Sequence, residues 1–170
     1  MTEQFIPQTR TRSEFVAEAK TWIGTPYAEM HVTARCKKGS RADCIFWTQV
    51  AADLGMYQIP TIAYTANPKG QLVRKYIEKH VTVVQSVDEG PINFAEIKPG
   101  QIGLFYYRDP AEPQHCAVFF DHPAIPGYHG MIHAYNRRRK VIDGGLENNK
   151  FWTQRLMYVY DVPHITDDAP

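Results

Sequence analysis

The sequence predicts an α+β fold, with N-terminal helices packed against an antiparallel β-sheet, and three observations carry this. Helix-compatible segments are confined to the first half of the chain, while β-branched and aromatic runs fill the second. Successive strand segments are separated by turn residues, and no alternating βαβ unit is present. The chain has 170 residues, 44% hydrophobic and 22% charged, which suits one ordinary globular domain over residues 1–170.

Residues 1–11 are polar and expected to be loose. Thr11 or Ser13 is expected to cap a helix over 14–22, which Gly24-Thr25-Pro26 stops. Residues 28–42 form a long polar loop, basic through Arg35, Lys37, Lys38 and Arg41. A helix near 44–54 follows, with Ile45, Val50, Ala51 and Leu54 for its buried face and Gly55 as its stop. Pro60 to Pro68 reads as loop, and a helix over 69–79 presents Leu72, Val73, Tyr76 and Ile77 on one side.

Strands are then expected at Val81–Val84, at Ile102–Tyr107 after the turn Lys98-Pro99-Gly100-Gln101, and at His115–Phe120. Met131–Tyr135 and Lys140–Ile142 read as a hairpin across the basic tip Arg137-Arg138-Arg139-Lys140. Arg155–Tyr160 is the last strand, and the polar tail His164–Pro170 is expected to fray.

Composition excludes several function classes. A formal net charge of +1 gives no overall field for a nucleic-acid partner. The basic tip reads as a solvated hairpin turn, with an anionic-polymer contact as the other reading. No run approaches the ~20 apolar residues of a membrane span. Met1 to Arg12 lacks the apolar core of a signal peptide. The expectation is synthesis in the cytoplasm, with any action in the periplasm or at the cell wall requiring another means of delivery. Three cysteines cannot form a complete disulfide framework, and no C-x-x-C is present, which suits a reducing compartment. No P-loop or dinucleotide fingerprint occurs, so no cofactor is expected.

Cys44 stands out by context. It opens the apolar helical run Cys44-Ile45-Phe46-Trp47 after a charged loop. A thiol in the first helical turn meets unpaired backbone N–H groups and the positive end of the helix dipole, both of which favour thiolate. The same N–H groups can hold an oxyanion. From the residues alone, a small buried hydrophobe is an equally good reading.

A thiol nucleophile needs a base within about 3 Å. His115 heads a strand after a turn-like segment and can pair with Cys44 if it faces the first helix; otherwise it is a surface or edge histidine. His133 lies inside the apolar run Met131-Ile132-His133-Ala134-Tyr135, either orienting His115 or bonded to a backbone carbonyl in the core. Cys116 is expected to face away from His115 and to pack. Cys36 is either incidental or able to form a reversible disulfide with Cys44. A zinc site from Cys44, His115 and His133 lacks the close ligand pair and the fourth ligand such sites use, so no metal is expected.

In order and spacing these residues resemble the NlpC-type cell-wall peptidases, papain-like cysteine hydrolases, and in particular their short bacteriophage-associated form. The segments concerned are Ala19-Lys-Thr-Trp-Ile-Gly-Thr-Pro-Tyr27, Asp43-Cys44, Lys98-Pro-Gly-Gln-Ile-Gly-Leu-Phe105, His115-Cys-Ala-Val-Phe-Phe120 and Met131-Ile-His133-Ala134. They span about residues 14–160. The resemblance implies a papain-like fold, with Cys44 as nucleophile, His115 as base and His133 as its orienting partner. It further implies that Tyr27 shapes the oxyanion region and that Asp43 meets the free amine of a peptidoglycan stem peptide.

The implied activity is cysteine endopeptidase cleavage of the γ-D-glutamyl to diamino-acid bond through a thioester. A phage tail or secretion apparatus is the implied delivery partner. Two alternatives share the site: an amidase or acyltransferase on another amide or thioester, and an inactive structural or adaptor protein of a phage tail. The sequence departs from the family at Ile45-Phe46, where small residues are usual, and at Gln101, where the family has aspartate.

Overall fold

The computed structural model describes residues 5–28, 36–58 and 71–169. The expected loop over Pro60–Pro68, the start of the 28–42 loop and the first residues of the 69–79 helix fall at least partly outside these. The fold is α+β and papain-like: N-terminal helices pack against an antiparallel sheet.

Helix α1 spans Arg12–Lys20 and starts at a capping box. Thr11 Oγ1 accepts from Glu14 N at 3.2 Å, while Thr11 N donates to Glu14 Oε2 at 2.8 Å. Helix α2 spans Phe46–Asp53 and ends at Gly55, whose φ of +72° suits a residue without Cβ. Helix α3 spans Leu72–Ile77. Leu72, expected on its buried side, is exposed, whereas Val73 and Ile77 are buried.

The main sheet has six strands: β2 (Thr82–Ser86), β3 (Ile102–Tyr106), β4 (Pro113–Asp121), β5 (His129–Tyr135), β6 (Lys140–Gly145) and β7 (Leu156–Asp161). Their spatial order is β2-β7-β3-β4-β5-β6, and every pairing is antiparallel.

The period-two alternation of side chains gives the sheet two apolar faces. Leu104, Cys116, Val118, Ile132, Ala134 and Tyr158 pack with the helices in one core cluster. Phe105, Ala117, Phe119, Met131 and Val159 belong to a second. That cluster is roofed by Trp152 from a one-turn helix, α4 (Lys150–Thr153), which sequence patterning did not foresee. Asn149 starts α4 by accepting from Phe151 N at 3.1 Å. Gly103 lets the second cluster close, because a Cβ there would lie 2.3 Å from Phe119 Cζ.

The expectation of a loose N-terminus and a frayed tail is corrected at one point. Strand β1 (Arg10–Thr11) pairs in parallel with β8 (Ile165–Thr166). Arg12 secures this pair. Its buried guanidinium donates to Asp167 at 2.6 Å, Asp161 at 3.0 Å and the Pro99 carbonyl at 3.2 Å. These bonds outweigh the desolvation of the cation and hold its pKa above the usual value. Polar composition had concealed an ion-paired clasp.

Candidate active site

Cys44 lies in the turn two residues before the first residue of α2, not within its first turn as expected. The chain enters this turn through a bridge between Tyr27 and Ala42, where Ala28 N donates to Ala42 O at 3.0 Å and Ala42 N to Pro26 O at 2.8 Å. The turn itself is held by Asp43, whose Oδ1 accepts from Ile45 N at 3.0 Å. Ile45 and Phe46, the bulky departures from the family pattern, are buried, and Phe46 packs on Trp22 of α1 with ring centroids 5.6 Å apart. Their bulk is absorbed by the helix layer.

The Cys44 thiol donates to the Gln114 carbonyl at 3.4 Å. Gln114 is skipped in the β3–β4 register, where Phe105 pairs with His115 but Tyr106 pairs with Pro113. A bulge frees a backbone group from the ladder and redirects neighbouring side chains. Here it leaves a carbonyl beside the thiol, directly before His115.

His115 and His133 meet: His115 Nε2 and His133 Nδ1 are 2.8 Å apart. Both rings are buried on the sheet face of the second core cluster. Trp152 lies nearly parallel to His115, with centroids 5.0 Å apart and planes at 24°, and meets His133 edge-on at 5.1 Å. Desolvation lowers both pKa values, His115 well below 6.5 and His133 to about 4. For His115 the neighbouring His133 adds to the effect. Two neutral imidazoles therefore share one hydrogen bond.

Tyr107 is the site residue that sequence reasoning missed. Its hydroxyl lies 3.1 Å from His115 Nδ1. Burial raises the Tyr107 pKa, and the charges of Cys44, Tyr135 and Tyr27 raise it further, while Arg137 opposes them. The phenol thus lies at His115 and within the electrostatic reach of the thiol and of Tyr27. The strand pattern placed Tyr107 at the end of a strand but gave no sign of what its hydroxyl would face.

Cys116 packs on the strand face opposite His115, as expected. Strand alternation makes that face the helix side, so Cys116 shares a core cluster with Cys44. His115 is the member of this pair that points to the opposite face. Burial pushes the Cys116 and Cys36 thiols well above their ordinary pKa. No disulfide joins the three cysteines.

Asp43 is almost wholly buried, and its environment is not that of an open amine receptor. Oδ1 takes both the Ile45 N–H and the Cys36 thiol, the latter at 3.5 Å. Oδ2 has no hydrogen-bond partner among the described residues. Desolvation raises the Asp43 pKa to about 6, against the lowering effect of these two bonds. Among the described residues, no three His, Cys, Asp or Glu side chains are placed to hold a metal ion. No described helix is long and apolar enough to cross a membrane.

No protein-family model and no curated sequence matches the chain. Solved structures do. An NlpC/P60 family protein from Bacillus cereus superposes with a TM-score of 0.58 at 15% identity, over 95% of this chain and 43% of that one. The chain thus spans less than half the length of the Bacillus protein. An N-acetylmuramoyl-L-alanine amidase from Bacteroides uniformis superposes with a TM-score of 0.56 at 11% identity, over 89% of this chain and 98% of that one. A second structure under the same description gives 0.54 at 12% identity. At these identities the likeness establishes the fold; it does not reach a bacteriophage-associated subtype.

Proposed function

We propose that this chain is a thiol-dependent amide hydrolase acting on peptidoglycan, and that its scissile bond is the amide joining the glycan's lactyl group to the stem peptide. The observation that carries the chemistry is the imidazole pair His115–His133, 2.8 Å apart, next in sequence to the carbonyl that holds the Cys44 thiol. Residues 14–160 form the catalytic unit in this reading.

The tautomers follow from the bonds. For His115 to accept at Nδ1, its Nε2 must carry hydrogen and donate to His133 Nδ1. Tyr107 then donates its hydroxyl hydrogen to Nδ1. In the proposed reaction the thiol proton passes to the Tyr107 oxygen as the Tyr107 proton moves to His115. The thiolate attacks the amide carbonyl. The Cys44 backbone N–H and the Tyr27 hydroxyl hold the developing oxyanion.

The proton then returns from His115 through the Tyr107 hydroxyl to the departing nitrogen, the C–N bond breaks, and a thioester remains on Cys44. A water molecule passes its proton through the Tyr107 hydroxyl to His115 as it attacks the thioester. The acid leaves, and the thiol is restored.

The amidase bond is favoured over the endopeptidase bond by Asp43. Endopeptidase selection of a free amine asks for an accessible carboxylate. Asp43 is 1% exposed and caps its own turn. The fold shared with the Bacteroides amidase agrees with this choice. The endopeptidase reading retains one support, the unpartnered Oδ2 of Asp43, which an ammonium group would satisfy.

Mass analysis of digested muropeptides distinguishes them. Release of the intact stem peptide from muramic acid, abolished by Cys44→Ala, is the expected outcome. Cleavage within the stem that requires its free amine would favour the endopeptidase. Intact muropeptides with both proteins would refute the proposed activity.

A further inference from the structure

The basic tip of the β5–β6 hairpin is exposed, as its composition suggests, but it is also tied down. Residues Asn136–Arg138 form a 3-10 turn, and Arg139 follows it with φ +55°. The turn is tied to the segment leading to the nucleophile: Tyr27 N donates to Arg139 O at 2.8 Å, and Pro26 bridges Lys140. The tip is therefore held in place relative to Cys44 through Tyr27 and Ala42.

Arg137 and Arg138 line a cavity of about 390 Å³, together with His133, Tyr135, Phe151 and Trp152. The same Trp152 stacks on His115, so the cavity adjoins the far side of the imidazole pair. Neither arginine forms an ion pair among the described residues. Other cations here do pair: Arg12, Arg74 and Lys38 each have a carboxylate partner. The field of Arg137 also reaches the Tyr107 phenol at the base.

Two uncommitted guanidinium groups over an aromatic-walled cavity beside the base are chemically suited to one kind of guest. A guanidinium fork matches a carboxylate in two parallel hydrogen bonds, and an aromatic wall packs the carbon chain that bears it. A cavity of this volume takes a short peptide segment. A polyanion would need an extended basic track, and the net charge of +1 does not supply one.

We propose that this cavity is a carboxylate subsite, through which Arg137 and Arg138 select stem peptides bearing a free acid over their amidated counterparts. The proposal rests on the amide-hydrolase reading for its substrate class, but its test does not depend on turnover. The full chain carrying Cys44→Ala is titrated calorimetrically with a stem tripeptide whose γ-linked D-Glu has either a free α-carboxylate or a carboxamide.

The acid should bind roughly tenfold more tightly than the amide, the scale of a charge-assisted pair. Adding Arg137→Gln and Arg138→Gln should erase that difference. Adding Lys75→Gln and Lys79→Gln, which removes the same charge elsewhere, should preserve it. Equal binding of acid and amide, or a preference that survives loss of both arginines, would overturn the proposal. So would a polyphosphate that binds more tightly than the acid and loses that advantage in the double variant; the tip would then be an anionic-polymer contact. If the wild-type protein cleaves no muropeptide, the hydrolase reading fails on its own, and the titration still decides the cavity.

Discussion

His115 Nε2 faces His133 Nδ1 across 2.8 Å on a sheet face that Trp152 covers. The outer nitrogen of His115 is committed at the same time, to the Tyr107 hydroxyl at 3.1 Å. In the proposed mechanism, His133 and Tyr107 together fix both the orientation and the tautomer of His115. Each makes a separate claim that can be measured.

Replacing His133 by Ala should lower kcat by roughly 100-fold, the scale of a general acid–base contribution. Asn at this position keeps a side-chain acceptor for Nε2–H and should recover part of the loss. A variant that matches wild type in kcat, or an Asn variant no better than Ala, would remove His133 from the mechanism.

Tyr107→Phe keeps the ring and removes the hydroxyl. The expected result is a roughly five- to tenfold fall in kcat, the scale of about one net hydrogen bond, with KM little changed. A solvent isotope effect on kcat should be present in wild type and smaller in the variant. A faster variant would show that the hydroxyl blocks the base and would refute the proton path proposed here.

The buried histidines make stability depend on pH. Their folded pKa values lie below the ordinary 6.5, His133 at about 4 and His115 well below 6.5. Their contribution is therefore complete above about pH 6.5 and is lost as pH falls toward 4, because the unfolded chain takes up the protons first. Asp43 acts oppositely. Its folded pKa is raised to about 6, so its contribution favours the fold at low pH and is lost as pH rises from about 4 to 6. Two histidines outweigh one aspartate, so Tm should fall between pH 6.5 and 4.5. Asp43→Asn should steepen that fall. A flat Tm across this window would contradict the neutral, buried state of the pair.

Trp152→Ala should cost roughly 3–5 kcal/mol of stability, as large aromatic-to-Ala changes in cores do. It should also lower kcat at temperatures where the variant remains folded, since Trp152 stacks on His115. Trp152→Phe keeps an aromatic wall and should restore most of both. Urea melts alongside kcat measured well below the midpoint separate the two effects. Unaltered kcat in a folded Ala variant would limit Trp152 to packing.

The order of the helices and the strands was legible, and so was the pairing of His133 with His115, because each has a local signal. Thr11 caps, Gly55 stops, and His133 interrupts an apolar strand. The facing of the site was less legible. Whether His115 or Cys116 points to the helices depends on strand alternation through a bulge at Gln114, and one skipped residue exchanges the two faces. Tyr107 and Trp152 have no local signature at all. They reach His115 from the end of β3 and from a four-residue helix, and only the assembled sheet brings them together.

The parallel clasp of β1 and β8 has a mechanical consequence. Arg10 N donates to His164 O at 2.9 Å, Thr166 Oγ1 donates to Arg10 O at 3.3 Å, and Arg12 adds its bonds to Asp161 and Asp167. When two parallel strands are pulled from the start of one and the end of the other, their cross-links are loaded together in shear rather than unzipped singly. Tension applied across residues 10 and 166 therefore meets this clamp before it reaches the six-stranded sheet. In single-molecule pulling, Arg12→Ala should lower the force of the first rupture and leave the later unfolding of the sheet unchanged.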